Sequence, residues 1–202
     1  MNNALQTPEY WDHRYQTDKS EAFDWFKSFE DIKELIVRRL APHDKILVLG
    51  CGTSSLSIEL HKLGHEDITN VDFSSSCIEQ MKEKYSEISM EWLVRDVRDL
   101  HGLGGFQVCI DKGTFDALLS YDGSRWSPPD TVISSAGRYM DELARVLEDG
   151  GVFLWLGFTQ PHFARSFLKH RLMMDVQVEA IGGSGMLEYF LYSLRKCGRN
   201  ID

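Results

Sequence analysis

"KILVLGCGTSSLSIELHKLG" (residues 45–64) runs from apolar residues into two glycines, then small hydroxylated residues, then a helical pattern. The apolar run ending at Gly50 reads as a buried strand. Leu56, Leu60 and Leu63 recur at helical spacing with Gly64 at the end, which reads as an inward helix face and its stop. Gly50 and Gly52 sit between the two elements. Glycines there let the chain turn sharply and let a ligand approach without meeting a Cβ. A helix starting near Ser54 aims its free N–H groups and positive dipole end at that ligand. An anionic group is favoured, either a pyrophosphate or an amino-acid carboxylate.

Outward from that turn, strands and helices alternate. "SFEDIKELIVRRL" carries Ile32, Leu35, Ile36 and Leu40 on one helical face, and Pro42 helps to stop it. The whole of residues 9–40 reads as helical, with a break near 17–20. "DITNVDF" is a second strand ending at Asp72, and Ser74 or Ser75 can cap the helix "SSCIEQMKEKY". "MEWLVRD" and "FQVCIDKG" are strands ending near Asp96 and Asp111. "TVISSAGRYMDELARVLEDGG" reads as a long helix with Met140, Leu143, Val146 and Leu147 on one side and Gly150 beyond its end. "VFLWLGF" is a fifth strand, "PHFARSFLKHR" is helix-like, and "MMDVQVEAI" and "LEYFLYSLRK" alternate as a hairpin around "GGSG". Such alternation implies right-handed crossovers and a mostly parallel sheet. The expected fold is α/β and Rossmann-like: a doubly wound, mostly parallel seven-stranded sheet with a C-terminal antiparallel hairpin and an N-terminal helical lid. A single domain is expected over 1–202, with the lid at 1–42, the core at 43–158 and the C-terminal helix and hairpin at 159–202.

Composition narrows the class. The 202 residues are 43% hydrophobic and 26% charged, ordinary for one globular domain. A formal net charge of −9 opposes broad nucleic-acid binding and is compatible with a cationic partner such as a lysine-bearing protein surface. No apolar run approaches the ~20 residues that span a bilayer. The opening "MNNALQTPEYWDHRY" has neither a secretory nor an organelle-import pattern, so a cytoplasmic, membrane-free protein is expected, read as a monomer. Cys51, Cys77, Cys109 and Cys197 are far apart with no Cys-x-x-Cys pair and read as reduced, mostly buried thiols. His61 and His65 are an i, i+4 pair without an evident third ligand, so no metal is expected.

Ligands in open parallel sheets bind beyond the carboxyl ends of the strands, where strand order reverses. Gly50, Asp72, Asp96 and Asp111 all fall at such ends and should converge. Asp72 lies about 20 residues after Gly50, where a carboxylate can accept hydrogen bonds from both hydroxyls of a ribose. The third glycine of the nicotinamide fingerprint is replaced by Ser55, which opposes an NAD-dependent oxidoreductase. Asp96 can accept from an adenine amine while Val97 offers a backbone N–H. The aromatics Tyr10, Trp11, Tyr15, Phe23, Trp25, Phe26 and Phe29 fit either a helix packed on the sheet or a cofactor lid. Arg14 can pair with a cofactor carboxylate or with Asp12, Asp18 or Glu21.

"ILVLGCGTSSLS", "NVDFSSSCIEQMK", "RDVRDL" and "FQVCIDKGTFDALL", with "YWDHRY" and "FDWF" upstream, resemble the seven-stranded (class I) S-adenosylmethionine-dependent methyltransferases. More narrowly they resemble the lysine methyltransferases acting on translation elongation factor 1-alpha and their relative acting on citrate synthase. The resemblance implies S-adenosyl-L-methionine as cofactor and a protein with an exposed lysine as partner. It implies that Trp11, Tyr15 and Trp25 pack over or bond the cofactor, and that Gly50 lines its methionine portion in the turn shared with Cys51 and Gly52. It implies that Asp72 holds the ribose with Phe73 against the adenine, that Asp96 and Val97 read the adenine edge, and that Asp111 stands near the sulfonium. Many members of the wider superfamily carry an acid two residues before the first glycine; here that position is Val48.

"DKGTFDAL" sits where an acceptor should meet the cofactor, making Asp111, Thr114 and Asp116 the candidate catalytic residues, with Phe115 beside them. Asp116 reads equally as a cap for the short helix after the strand. Lys112 reads as structural, because a cation beside a sulfonium is unfavourable unless it points away. A lysine acceptor must shed its proton, and an apolar channel lowers its pKa without a dedicated base. The long connection "SYDGSRWSPPDTV" is expected on the acceptor rim. Methylation of a small molecule, or a silent S-adenosylmethionine-binding scaffold, stays open.

Overall fold

A computed structural model describes residues 5–17, 24–168, 174–182 and 188–197. Phe23, Asp18, Glu21, the expected break after Thr17 and most of the "GGSG" loop lie outside the described residues. Two helices lead in: α1 (Pro8–Thr17) and α2 (Phe29–Val37). The core follows as β1 (Ile46–Leu49), α3 (Leu56–Lys62), β2 (Ile68–Asp72), α4 (Ser75–Lys84), β3 (Glu91–Val94), β4 (Phe106–Lys112), α5 (Thr114–Leu118), α6 (Asp130–Val146) and β5 (Leu147–Gly157). Then come α7 (Pro161–Leu168), β6 (Met174–Ile181) and β7 (Tyr189–Lys196).

The seven strands form one sheet in the order β3-β2-β1-β4-β5-β7-β6. β1 to β5 pair in parallel, and β7 is antiparallel to both β5 and β6. Every residue of β1 is buried because helices cover both faces of the sheet. Leu47 and Leu49 pack into the layer that holds α5, α6 and α7; Ile46 and Val48 pack into the layer that holds α2, α3 and α4. This alternation is the period-2 pleat read twice, once for each face.

Three local expectations change. The long helix stops at Val146, because Leu147 is already extended (ψ 133) and pairs with Phe106. Leu63 is 44% exposed rather than inward, since α3 ends at Lys62 one residue earlier. His65 lies beyond that helix and is buried, so it shares no helix face with His61. Two helix starts are set by side chains. Ser74 accepts from the Cys77 N–H, and Ser28 and Asp31 form a reciprocal capping box at α2.

α2 lays Ile32 and Ile36 against the sheet beside Val48, so its cap holds one wall of the core in register. Ser28→Ala is expected to cost about 1 kcal/mol of stability in urea unfolding, with the native spectrum kept. A loss near zero would remove the cap from this account.

Candidate active site

The strand order reverses between β1 and β4, and a cleft partly open to solvent lies at that point. Gly50 turns the chain there with φ +62, and a Cβ on it would sit 1.9 Å from Thr114 Oγ1. That hydroxyl lies 3.1 Å from the Leu49 carbonyl and 3.3 Å from the Gly50 carbonyl, to which it donates. The first residue of α5 thereby stitches the end of β1. Gly52 (φ +52) is closed from the other side: a Cβ there would lie 2.9 Å from the Tyr15 hydroxyl.

Asp72 stands across the cleft at the end of β2. It accepts from the Gly52 N–H at 3.0 Å and the Ser74 N–H at 2.9 Å, so one carboxylate ties the glycine turn to the start of α4. Burial pushes its pKa up to about 6, with Asp12 adding to the rise. Asp12 itself accepts from the Ser74 hydroxyl at 2.6 Å and fixes α1 to the same turn. Trp11, Tyr15 and Trp25 form the overhanging wall. Trp11 and Tyr15 stack with centroids 5.8 Å apart, and Trp25 meets Trp11 edge-on at 6.1 Å. The Arg14 guanidinium lies 4.9 Å from the Trp25 ring and also lines the cleft.

Trp11, Tyr15, Trp25, Gly50, Cys51, Gly52, Asp72, Phe73, Asp96, Val97, Thr114 and Asp116 all line this one cleft. Asp111 does not. It is fully buried, accepting from the Thr114 N–H at 2.9 Å, the Phe115 N–H at 3.0 Å and the Tyr139 hydroxyl at 2.7 Å. Its place is the N-terminus of α5, where a carboxylate satisfies otherwise unpaired N–H groups. Of the residues expected at the site, it is the one that the structure seals behind the cleft rather than on its lining. Burial raises its pKa to about 7.

Asp116 lines the cleft without capping a helix. It accepts from Trp155 Nε1 (2.8 Å), the Phe158 N–H (3.2 Å), and the Thr159 N–H and hydroxyl (3.0 and 2.7 Å). It pins the chain just beyond β5, and burial raises its pKa. Asp96 is gripped by Arg98, with contacts of 2.6 to 3.1 Å from its guanidinium and 2.8 Å from its N–H. Against the desolvation of its half-buried place, that grip holds its carboxyl below the ordinary range.

One acid with no role assigned from sequence braces the wall. Asp24 accepts from Ser54 (2.5 Å), Ser55 (2.9 Å) and Lys112 Nζ (2.8 Å), and Lys112 also donates to the Trp25 carbonyl at 3.1 Å. This network fastens the "DWF" segment over the glycine turn and turns the Lys112 cation toward Asp24. The signal was the acid inside "FDWF", visible but silent without its partners. Phe26 adopts φ 68, rare for a residue with a side chain, and its ring lies 5.5 Å from those of Phe158 and Tyr189.

Within the cleft the buried Asp72 carboxylate can accept from hydroxyl groups, and the close-approach glycine turn with Arg14 can receive an anionic group. The close approach at Gly50, where a Cβ would meet Thr114 and the backbone is left-handed, is the firmest of these observations. Among the described residues, no helix is long and apolar enough to cross a membrane.

Comparison with known proteins agrees with this geometry. Residues 46–151 match the model of the methyltransferase domain family. The chain is 38% identical over 165 residues to EEF1A lysine methyltransferase 4 of Bos taurus, covering 80% of this chain and 65% of that protein. It is 33% identical over 165 residues to the eEF1A lysine and N-terminal methyltransferase of Mus musculus, covering 80% of this chain and 23% of that protein. The chain thus spans 65% of the length of the first of these relatives. A TehB-like SAM-dependent methyltransferase from Corynebacterium glutamicum superposes with a TM-score of 0.63 at 16% identity, covering 94% of this chain and 97% of that one. At that identity the likeness speaks to fold alone.

Two outcomes follow from the buried groups. Gly50→Ala is expected to displace Thr114 and abolish ligand binding at the cleft, read by calorimetry; retained affinity would contradict the close approach. Asp72, Asp111 and Asp116 have folded pKa values raised above the unfolded one. Between about pH 4 and 7 the folded chain therefore holds more protons than the unfolded chain, and stability falls as pH rises through that window. Denaturant midpoints should drop from pH 5 to pH 8, and Asp111→Asn, though less stable overall, should show a shallower drop. A midpoint that climbs over that range would refute the assignment.

Proposed function

This chain belongs to the methyltransferase domain family, and we propose that it transfers the methyl group of S-adenosylmethionine to the side-chain amine of a lysine in a protein, translation elongation factor 1-alpha being the leading acceptor. The observation that carries the cofactor reading is the joint placement of the Gly50 turn and the Asp72 carboxylate on one cleft at the sheet's switch point. The relatives named as EEF1A lysine methyltransferases support the acceptor reading.

When bound, the cofactor supplies an electrophilic methyl group. The residues of this chain do the positioning. Asp72 accepts from the ribose hydroxyls, with its own geometry fixed by Gly52 and Ser74 N–H groups. Phe73 and Val97 line the adenine end, and Asp96 presents an acceptor there, shared with Arg98. The Gly50 turn faces the amino-acid tail, and Arg14, held over Trp25, offers its carboxylate a cation. Thr114 keeps the turn open through the Leu49 and Gly50 carbonyls, and Asp116 anchors Phe158 at the mouth. In this reading both are positioning residues. Phe26 and Phe158 line the path by which an amine arrives. Their apolar faces disfavour the ammonium form, so the lysine proton leaves to solvent before transfer. Alignment and water exclusion are what the step needs from the protein.

Calorimetry should detect S-adenosylmethionine binding to the wild type and none to Asp72→Ala; unchanged affinity in the variant contradicts the ribose assignment. Incubation of the wild type with labelled cofactor and unmethylated elongation factor 1-alpha should place label on a lysine located by mass spectrometry. Label found only in small molecules would overturn the protein-acceptor reading.

A further inference from the structure

Trp126 is 81% exposed, the largest apolar side chain so displayed among the described residues. An indole left in water sacrifices a substantial burial energy, so its display calls for a reason. The ring is also held in place. On one side it stacks on His162 (5.8 Å, 28°) and meets Phe163 edge-on (5.0 Å).

The loop beneath is braced from within. Tyr121 Oη donates to the Ser124 carbonyl at 2.6 Å, the Ser127 N–H donates to that same carbonyl at 3.0 Å, and the Trp126 N–H reaches Ser124 Oγ at 3.3 Å. Arg125 donates to the Leu119 carbonyl at 2.9 Å and lies over the Tyr121 ring. A large ring on a rigid support loses little freedom when it is covered, the property expected of a binding anchor.

Both segments that carry the ledge lead directly from the cleft lining. Ser120, where the loop leaves α5, lines the cleft; so does Phe158, which leads through Thr159 into the first turn of α7 with His162 and Phe163. A protein whose lysine enters past the Phe26–Phe158 pair lays its neighbouring surface on this rim.

We propose that the Trp126–His162–Phe163 ledge is the docking surface for the acceptor protein, and that it takes a basic segment flanking the target lysine. The inference rests on the protein-lysine reading above. Charge supports the occupant: the formal net charge of the whole chain is −9, which draws a cationic protein surface at long range, and at the ledge an exposed indole face is suited to a lysine or arginine side chain by cation–π attraction.

The test measures initial rates with S-adenosylmethionine and elongation factor 1-alpha for the wild type, Trp126→Ala and Trp126→Phe. Trp126→Ala should raise KM for the protein acceptor about tenfold or more, leave kcat, cofactor affinity and melting temperature near wild type, and be partly rescued by Trp126→Phe. A wild type that labels the factor and a Trp126→Ala variant with the same KM overturn the docking surface alone. A wild type that leaves the factor unlabelled overturns the acceptor reading and the docking surface with it. A change of oligomeric state in Trp126→Ala, seen by light scattering, would assign the ledge to a second copy of the chain and overturn the proposal.

Discussion

The structure depends on a side chain that is absent. With no Cβ at position 50, the Thr114 hydroxyl can sit against the carbonyls that close β1, and the ends of β1 and β4 come together. Any larger residue there would occupy the space of Thr114. The cleft, its floor and the route to it follow from this contact, because the sheet reverses direction between those two strands.

Around that point four acids at or near strand ends divide the work, and each division is set by which groups face it. Asp72 has two backbone N–H donors and an open side toward the cleft. Asp111 has two N–H donors and a tyrosine, and is sealed in the core. Asp96 is shared with an arginine, and Asp116 is tied to the segment after β5. Burying three of these carboxylates raises the cost of ionising them. The folded state tolerates this because hydrogen-bond donors surround each one.

Much of this was legible in the sequence. Continuous apolar strands and amphipathic helices gave the layers, since burial on both faces of a parallel sheet leaves that mark on β1, "ILVL". The glycine turn and Asp72 were readable for the same reason: a sharp turn needs glycine, and a strand end needs a polar exit. Asp111 looked equivalent to Asp72 because both end a strand. The difference lies in the pleat. Asp111 turns into the layer of Phe115 and Tyr139, while its neighbour Lys112 turns the other way to Asp24. Which face of a strand borders a cleft depends on strand order, and order is a long-range property that no local pattern carries. Asp24 was unassigned for a like reason, since its partners come from distant segments.

A crystal structure with S-adenosylhomocysteine would test the central claim most directly. The account requires the ribose hydroxyls within hydrogen-bonding distance of the Asp72 carboxylate and the amino-acid tail against the Gly50 turn. A ligand seated elsewhere, or one whose ribose turns away from Asp72, would contradict it.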